Sequence, residues 1–208
     1  MGDPVDLGWV KSIGRPEGNL TGFATGEFAL GAKFLEFLKE AAPGVARILL
    51  LTSPSVSANV SARPIEDAAT SIGMPRTTKL VRDTAEIEQA ITDFSRQPNG
   101  GLIVASGPEL ANQTPTIVES AMRHRLPAIY PTRDYVVRGG LMGYAADILD
   151  QYRRTGAYVD RILKGAKVSD LPIQFPTKYS LIINLKAAKA IGLAIPESFL
   201  LRADEVIE

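Results

Sequence analysis

Short apolar runs rich in Ile, Leu or Val recur at Arg47–Leu51, Gly101–Ala105 and Pro127–Tyr130, and each gives way to polar, Gly or Pro residues. They do not alternate apolar with polar, which is the pattern of strands covered on both faces. Between them, Ser61–Ile72, Ala85–Phe94 and Thr114–His124 are spaced as helices, and Lys79–Arg82 reads as a further strand. This alternation of strand and helix predicts an α/β lobe built on a doubly wound, mostly parallel, Rossmann-like sheet.

Ahead of the first strand, Glu27–Ala42 places Phe28, Leu35 and Leu38 on one helical stripe with Phe34 beside it, and Pro43-Gly44 ends the helix. Asp147–Lys164 is the clearest amphipathic helix. Ile148, Leu149, Tyr152, Val159, Ile162 and Leu163 share one face, Asp150, Arg153, Arg154, Asp160 and Arg161 lie opposite, and Gly165 stands at the C-cap. Lys167–Thr177, with prolines and no period, reads as a connector. Tyr179–Ile183 is strand-like, and Asn184 caps a short Ala-rich helix that ends at Gly192.

At 208 residues the chain is long enough to bury a sizeable core. Its 23 basic and 23 acidic side chains cancel, and neither sign forms a block. That leaves no electrostatic footprint for nucleic acid or an anionic membrane. No apolar run approaches the roughly eighteen residues that a spanning helix needs. Met1-Gly2-Asp3-Pro4 has neither a basic flank nor an apolar signal core. Zero cysteines exclude disulfides and thiolate metal sites.

In open parallel sheets, ligands sit beyond the carboxyl ends of the strands. That rule selects three loops. After the first strand, Ser53 and Ser55 offer hydroxyls to a polar ligand, although serine and proline there also serve turn and N-cap chemistry. After the third comes Ser106-Gly107-Pro108-Glu109: Gly107 permits close backbone approach, and Glu109 either pairs with an ammonium group or is a solvated helix-start glutamate. After the fourth, Tyr130, Arg133 and Asp134, with Tyr135 beside them, gather an aromatic face, a guanidinium and a carboxylate. That set suits a zwitterion; the alternative is an internal arrangement of the two charges on the surface.

Gly139–Tyr144 lacks the glycine spacing of a dinucleotide loop and the lysine of a phosphate loop. It reads as a bulge or hinge strand, with Tyr144 and Asp147 near the cleft. His124, the single histidine, has no cysteine or second histidine to complete a metal set or a nucleophile–base pair. Trp9 reads as a packing residue. No catalytic constellation, cofactor loop or metal set emerges, and a binding protein rather than an enzyme is expected.

Four ordered motifs carry a family resemblance: Arg15-Pro16-Glu17-Gly18-Asn19-Leu20-Thr21-Gly22, the stretch 122–144, Pro176–Ala188, and the ending Leu201–Ile207. Together they resemble the substrate-binding proteins of bacterial ABC transporters, specifically the group similar to tryptophan-binding transporter proteins. The resemblance implies a type I periplasmic binding protein whose two lobes close on a small solute, an amino acid or similar metabolite with aromatic ones included. It also implies a membrane permease as partner, and a periplasmic or membrane-anchored extracytoplasmic location.

On that implied plan about a lobe lies upstream of Met1. Residues 1–19 are then a crossing segment, 20–145 the second ligand-binding lobe, and 146–208 a return helix, connector and C-terminal segment belonging partly to the first lobe. Apolar surface that the first lobe would cover is then exposed, and a homodimer or domain swap is expected. Two other classes share parts of this pattern. An effector-binding domain of a transcriptional regulator would need a DNA-binding helix pair, and none precedes residue 20. A flavodoxin-like enzyme is disfavoured by the missing phosphate loop.

Overall fold

The computed structural model describes residues 4–5, 8–24 and 30–208. The predicted apolar runs become β1 (Arg47–Thr52), β3 (Gly100–Val104) and β4 (Ala128–Tyr130). Their backbones lie in register as parallel neighbours, Leu49 opposite Leu102 and Ile103 opposite Ile129. Leu49–Leu51 and Leu102–Val104 are fully buried, as strands covered on both faces must be. One face carries α1 (Gly31–Ala41) packed on α2 (Val56–Ser71); α3 (Thr84–Ser95) packs on α5 (Thr114–Arg123) over the other. Of the predicted leading helix, Leu35, Leu38 and Phe34 are buried, while Glu27 and Phe28 lie outside the described residues.

β2 (Arg76–Leu80) starts three residues before the predicted Lys79. Every residue in it is exposed. An edge strand reading Arg-Thr-Thr-Lys-Leu carries no apolar run to mark its start. The helix α2 likewise starts ahead of the predicted Ser61, because the Ser55 side chain accepts from the Ala58 N–H and caps it there. The short helices α4 (Pro108–Asn112) and α6 (Arg133–Val137) fall inside stretches that read as loops.

β5 (Met142–Ala146) adds a parallel strand beside β4, and the predicted tail strand, β6 (Tyr179–Asn184), pairs antiparallel with β5. α8 (Leu185–Ile191) follows, capped by the Asn184 side chain on the Ala187 N–H and closed by Gly192 at φ 75°. After α9 (Glu197–Leu200), a last strand, β7 (Glu205–Ile207), pairs parallel with β6. The sheet runs β2-β1-β3-β4-β5-β6-β7. Residues 179–207, grouped at the sequence level with the return segment, thus contribute two strands, β6 and β7, to the same sheet as β1–β5.

The amphipathic helix α7 (Ile148–Leu163) packs differently. Its buried side chains are Gln151 and Tyr158, which face a strap formed by residues 10–24 and 171–175. Gln151 Nε2 donates to the Ala24 carbonyl at 3.0 Å, the Tyr158 hydroxyl donates to the Pro172 carbonyl at 2.8 Å, and the Phe23 ring lies 5.0 Å from that of Tyr158. Val10, Ala24 and Ile173 form a small core of their own. The apolar face read from the sequence is left uncovered: Leu149 is 66% exposed, Tyr152 72% and Leu163 82%.

Candidate ligand cleft at the carboxyl edge of the sheet

β1 has β2 on one side and β3 on the other, so the connections leaving β1 and β3 diverge at their carboxyl ends. The hydroxyl loop and the Ser106-Gly107 loop meet there. Ser53 is fully buried; its hydroxyl donates to Glu109 Oε2 at 2.9 Å and lies 3.0 Å from Ser55 Oγ. Ser55 Oγ lies 3.4 Å from Ser57 Oγ. The Ser106 N–H donates to Ser61 Oγ at 3.0 Å, which ties the loop after β3 to α2. A Cβ on Gly107 would lie 3.1–3.3 Å from Ala58 Cβ and from the hydroxyls of Ser55 and Ser53. The glycine is there for this close approach. The backbone N–H of Glu109, then the Ser55 and Ser53 hydroxyls, hold the Glu109 carboxyl below the usual carboxylate range, so it stays ionised as the acceptor of this network.

Beside this loop pair lies a cleft of ≈ 500 Å³ that includes Ser106. Pro131, Ala145 and Ile182 form an apolar floor, while Ile148 and Leu149, at the start of α7, form one wall. The polar rim comprises Thr132, Arg133, Asp134, Asp147, Ser180 and Glu205. Arg133 and Asp134 open α6, where the Thr132 backbone is still extended, and so both project from the end of β4. Arg133 makes a bidentate pair with Glu205: Nε donates to Oε2 at 2.9 Å and Nη2 to Oε1 at 2.5 Å. The hydrogen bonds of this pair push the Arg133 pKa up and the Glu205 pKa down. Asp134 accepts from Arg138 Nε at 2.8 Å, and Asp147 caps α7 by accepting from the Asp150 N–H at 3.0 Å. Arg133 and Asp134 are each paired, but not with one another.

Of the predicted site residues, Ser106, Arg133 and Asp134 line the cleft, Ser53, Ser55, Gly107 and Glu109 lie in the loop pair beside it, and Tyr130 and Tyr144 are turned away from it. Tyr130 is 1% exposed, its ring stacked on that of Tyr135 at 4.9 Å, and its hydroxyl has no partner among the described residues. Gly140 presses on the same ring, so closely that a Cβ there would lie 2.5 Å from it. Tyr130 ends β4, and its ring turns into the core while the next residue, Pro131, lines the cleft. Burial raises its hydroxyl pKa far above the ordinary tyrosine value, and pushes that of Tyr135 up to about 12. Tyr144 faces α1 instead of the cleft, edge-on to Phe37 at 5.0 Å and stacked on Tyr179 at 5.5 Å. Its neighbours Ala145 and Ala146 are the cleft residues of β5.

Sequence reasoning missed Ser180, Ile182 and Glu205. The first two sit on the strand-like run Tyr179–Ile183, whose antiparallel return beside β5 has no local signal. Glu205 lies 72 residues from its partner Arg133 and belongs to a three-residue strand. Among the described residues, no group of three or more His, Cys, Asp or Glu side chains is placed to hold a metal ion.

A tyrosine-binding protein of Clostridioides difficile (strain R20291) is 26% identical over 198 residues, covering 92% of this chain and 55% of that protein. The chain therefore spans about half the length of that relative. The ABC domain from Streptococcus pneumonia solved in complex with L-Trp superimposes with a TM-score of 0.84 at 29% identity, over 99% of this chain and 71% of that one. A conserved domain protein of Vibrio cholerae shares the fold, with a TM-score of 0.89 at 24% identity over 98% of this chain and 68% of the other. The family model for ABC transporter substrate binding proteins matches residues 1–207. The chain belongs to the ABC transporter substrate-binding protein family.

Proposed function

We propose that this chain binds a small amino-acid-like solute, aromatic ones included, in the cleft at the carboxyl edge of its sheet, and serves a membrane permease as a non-enzymatic, extracytoplasmic carrier. The observation that carries this reading is the composition of the cleft: an apolar floor and one apolar wall beneath a rim with a guanidinium and three carboxylates. A zwitterion with an apolar side chain needs those surfaces together. The cleft's ≈ 500 Å³ suits one such molecule, since small-molecule sites span about 300–1,000 Å³. Relatives described as tyrosine-binding and as bound to L-Trp support the same solute class.

Ile148 and Leu149 line the cleft and also begin the exposed stripe of α7. A body seated on that stripe would close the cleft's open side, as a first lobe does in a two-lobed carrier that traps its ligand by hinge closure. On this reading α7 and the strap around Val10, Ala24 and Ile173 belong with the first lobe, and the second lobe extends through β6 and β7. Where no first lobe is present, the stripe is covered by a second copy of the chain or by a domain swap. A thermal-shift screen of the full-length protein against amino acids, sugars and other small metabolites tests the solute class. A selective rise in Tm with an amino acid is expected; a rise with sugars alone would overturn the reading.

A further inference from the structure

The Arg133–Glu205 pair joins two elements that meet only in the folded sheet, the first residue of α6 and the first residue of β7, and both side chains line the cleft. It is bidentate, so the carboxylate of Glu205 occupies the fork by which a guanidinium grips any carboxylate. The other rim charges are committed elsewhere, Asp134 to Arg138 and Asp147 to the α7 cap. The pair is also accessible, its side chains 57% and 38% exposed, and exposed ion pairs are weak.

We propose that Glu205 stands in for the solute's carboxylate on Arg133 while the cleft is empty, so that binding exchanges one carboxylate for another. This rests on the amino-acid reading above and assigns the two residues distinct roles in it. Arg133 is the carboxylate receptor. Glu205 is an internal competitor that keeps the guanidinium satisfied over an apolar floor, lowers affinity, and disfavours solutes without a carboxylate, since these cannot replace it. On exchange, Glu205 turns toward solvent, where its charge is hydrated.

Isothermal titration of the full-length protein with L-tyrosine, L-tryptophan and their carboxamides tests this. Glu205→Gln removes the competing charge and keeps the size; it is expected to tighten binding of the free amino acids by roughly two- to five-fold, the strength of an exposed pair. It leaves the carboxamides unimproved. Arg133→Gln is expected to weaken the free amino acids by about ten-fold or more, the worth of a charge-assisted hydrogen bond. The melting temperature of each variant checks that it folds. Unchanged or weakened binding in Glu205→Gln, with wild-type binding intact, would overturn the exchange and leave the solute class standing. No binding of either amino acid by the wild type would overturn both.

Discussion

Replacing Tyr130 by Phe separates the two places that this residue could occupy. In the structure the ring is 1% exposed and stacked on Tyr135, and the hydroxyl is buried with no partner among the described residues. A hydroxyl buried without a partner costs about 1–3 kcal/mol, whereas a hydrogen-bonded one contributes about 0.5–1.5 kcal/mol. Tyr130→Phe keeps the ring stack and removes only the unpaired group, so stability should hold or rise by about 1 kcal/mol. For a domain of this size that is roughly 2–4 °C in Tm. Tyr135→Phe is the internal control, because the residue is as little exposed as Tyr130 but its hydroxyl pairs with the Thr114 side chain. It should destabilise by about 0.5–1.5 kcal/mol. Urea unfolding followed by circular dichroism gives both values, and titration with L-tryptophan should show unchanged affinity for Tyr130→Phe. Destabilisation of Tyr130→Phe equal to that of the control, or a large loss of affinity, would refute the placement of Tyr130 in the core.

Gly140→Ala should destabilise by about 1–3 kcal/mol, since its Cβ would meet the Tyr130 ring at 2.5 Å and the Tyr135 carbonyl at 2.8 Å; denaturant unfolding checks it. Leu163→Glu, at a site 82% exposed, should leave Tm nearly unchanged and abolish any self-association of the 208-residue chain in sedimentation velocity; association that persists would remove the α7 stripe as its cause. Hydrogen bonds from Arg133 depress the Glu205 pKa, so the pair's contribution is present above the ordinary carboxyl value of 4.5 and is lost as pH falls through the lower, folded value. NMR titration of Glu205 should give a midpoint below 4.5 that Arg133→Gln moves back up; an unmoved midpoint would contradict the pairing.

The parts of the fold that were legible in the sequence are those where one strong local pattern decides the outcome. β1, β3 and β4 are unbroken apolar runs because both of their faces are covered, and α7 declares its stripe through its period alone. β2 was displaced because an exposed edge strand leaves no apolar mark. The three site loops followed from the rule about strand carboxyl ends, and two of them bring Ser106, Arg133 and Asp134 to the cleft. The direction of each side chain was not legible: the Tyr130 ring turns into the core while the next residue, Pro131, lines the cleft, and Tyr144 packs on α1 while Ala145 and Ala146 line the cleft. Glu205 was invisible as a site residue because its role depends on pairing across the sheet with a residue far away in the chain.

On the reading proposed above, the carboxyl edge of this sheet receives an amino-acid solute. Backbone amide shifts of the isotope-labelled full-length protein, followed during titration with L-tryptophan and L-tyrosine, test it most directly. Saturable shifts are expected at the non-proline residues of 53–57, 106–109, 131–134 and 145–149 and at residue 205. Saturable shifts centred instead on residues 43–45, 97–100 and 124–127, around the hollow at the opposite edge of the sheet, or no shifts with either amino acid, would contradict it.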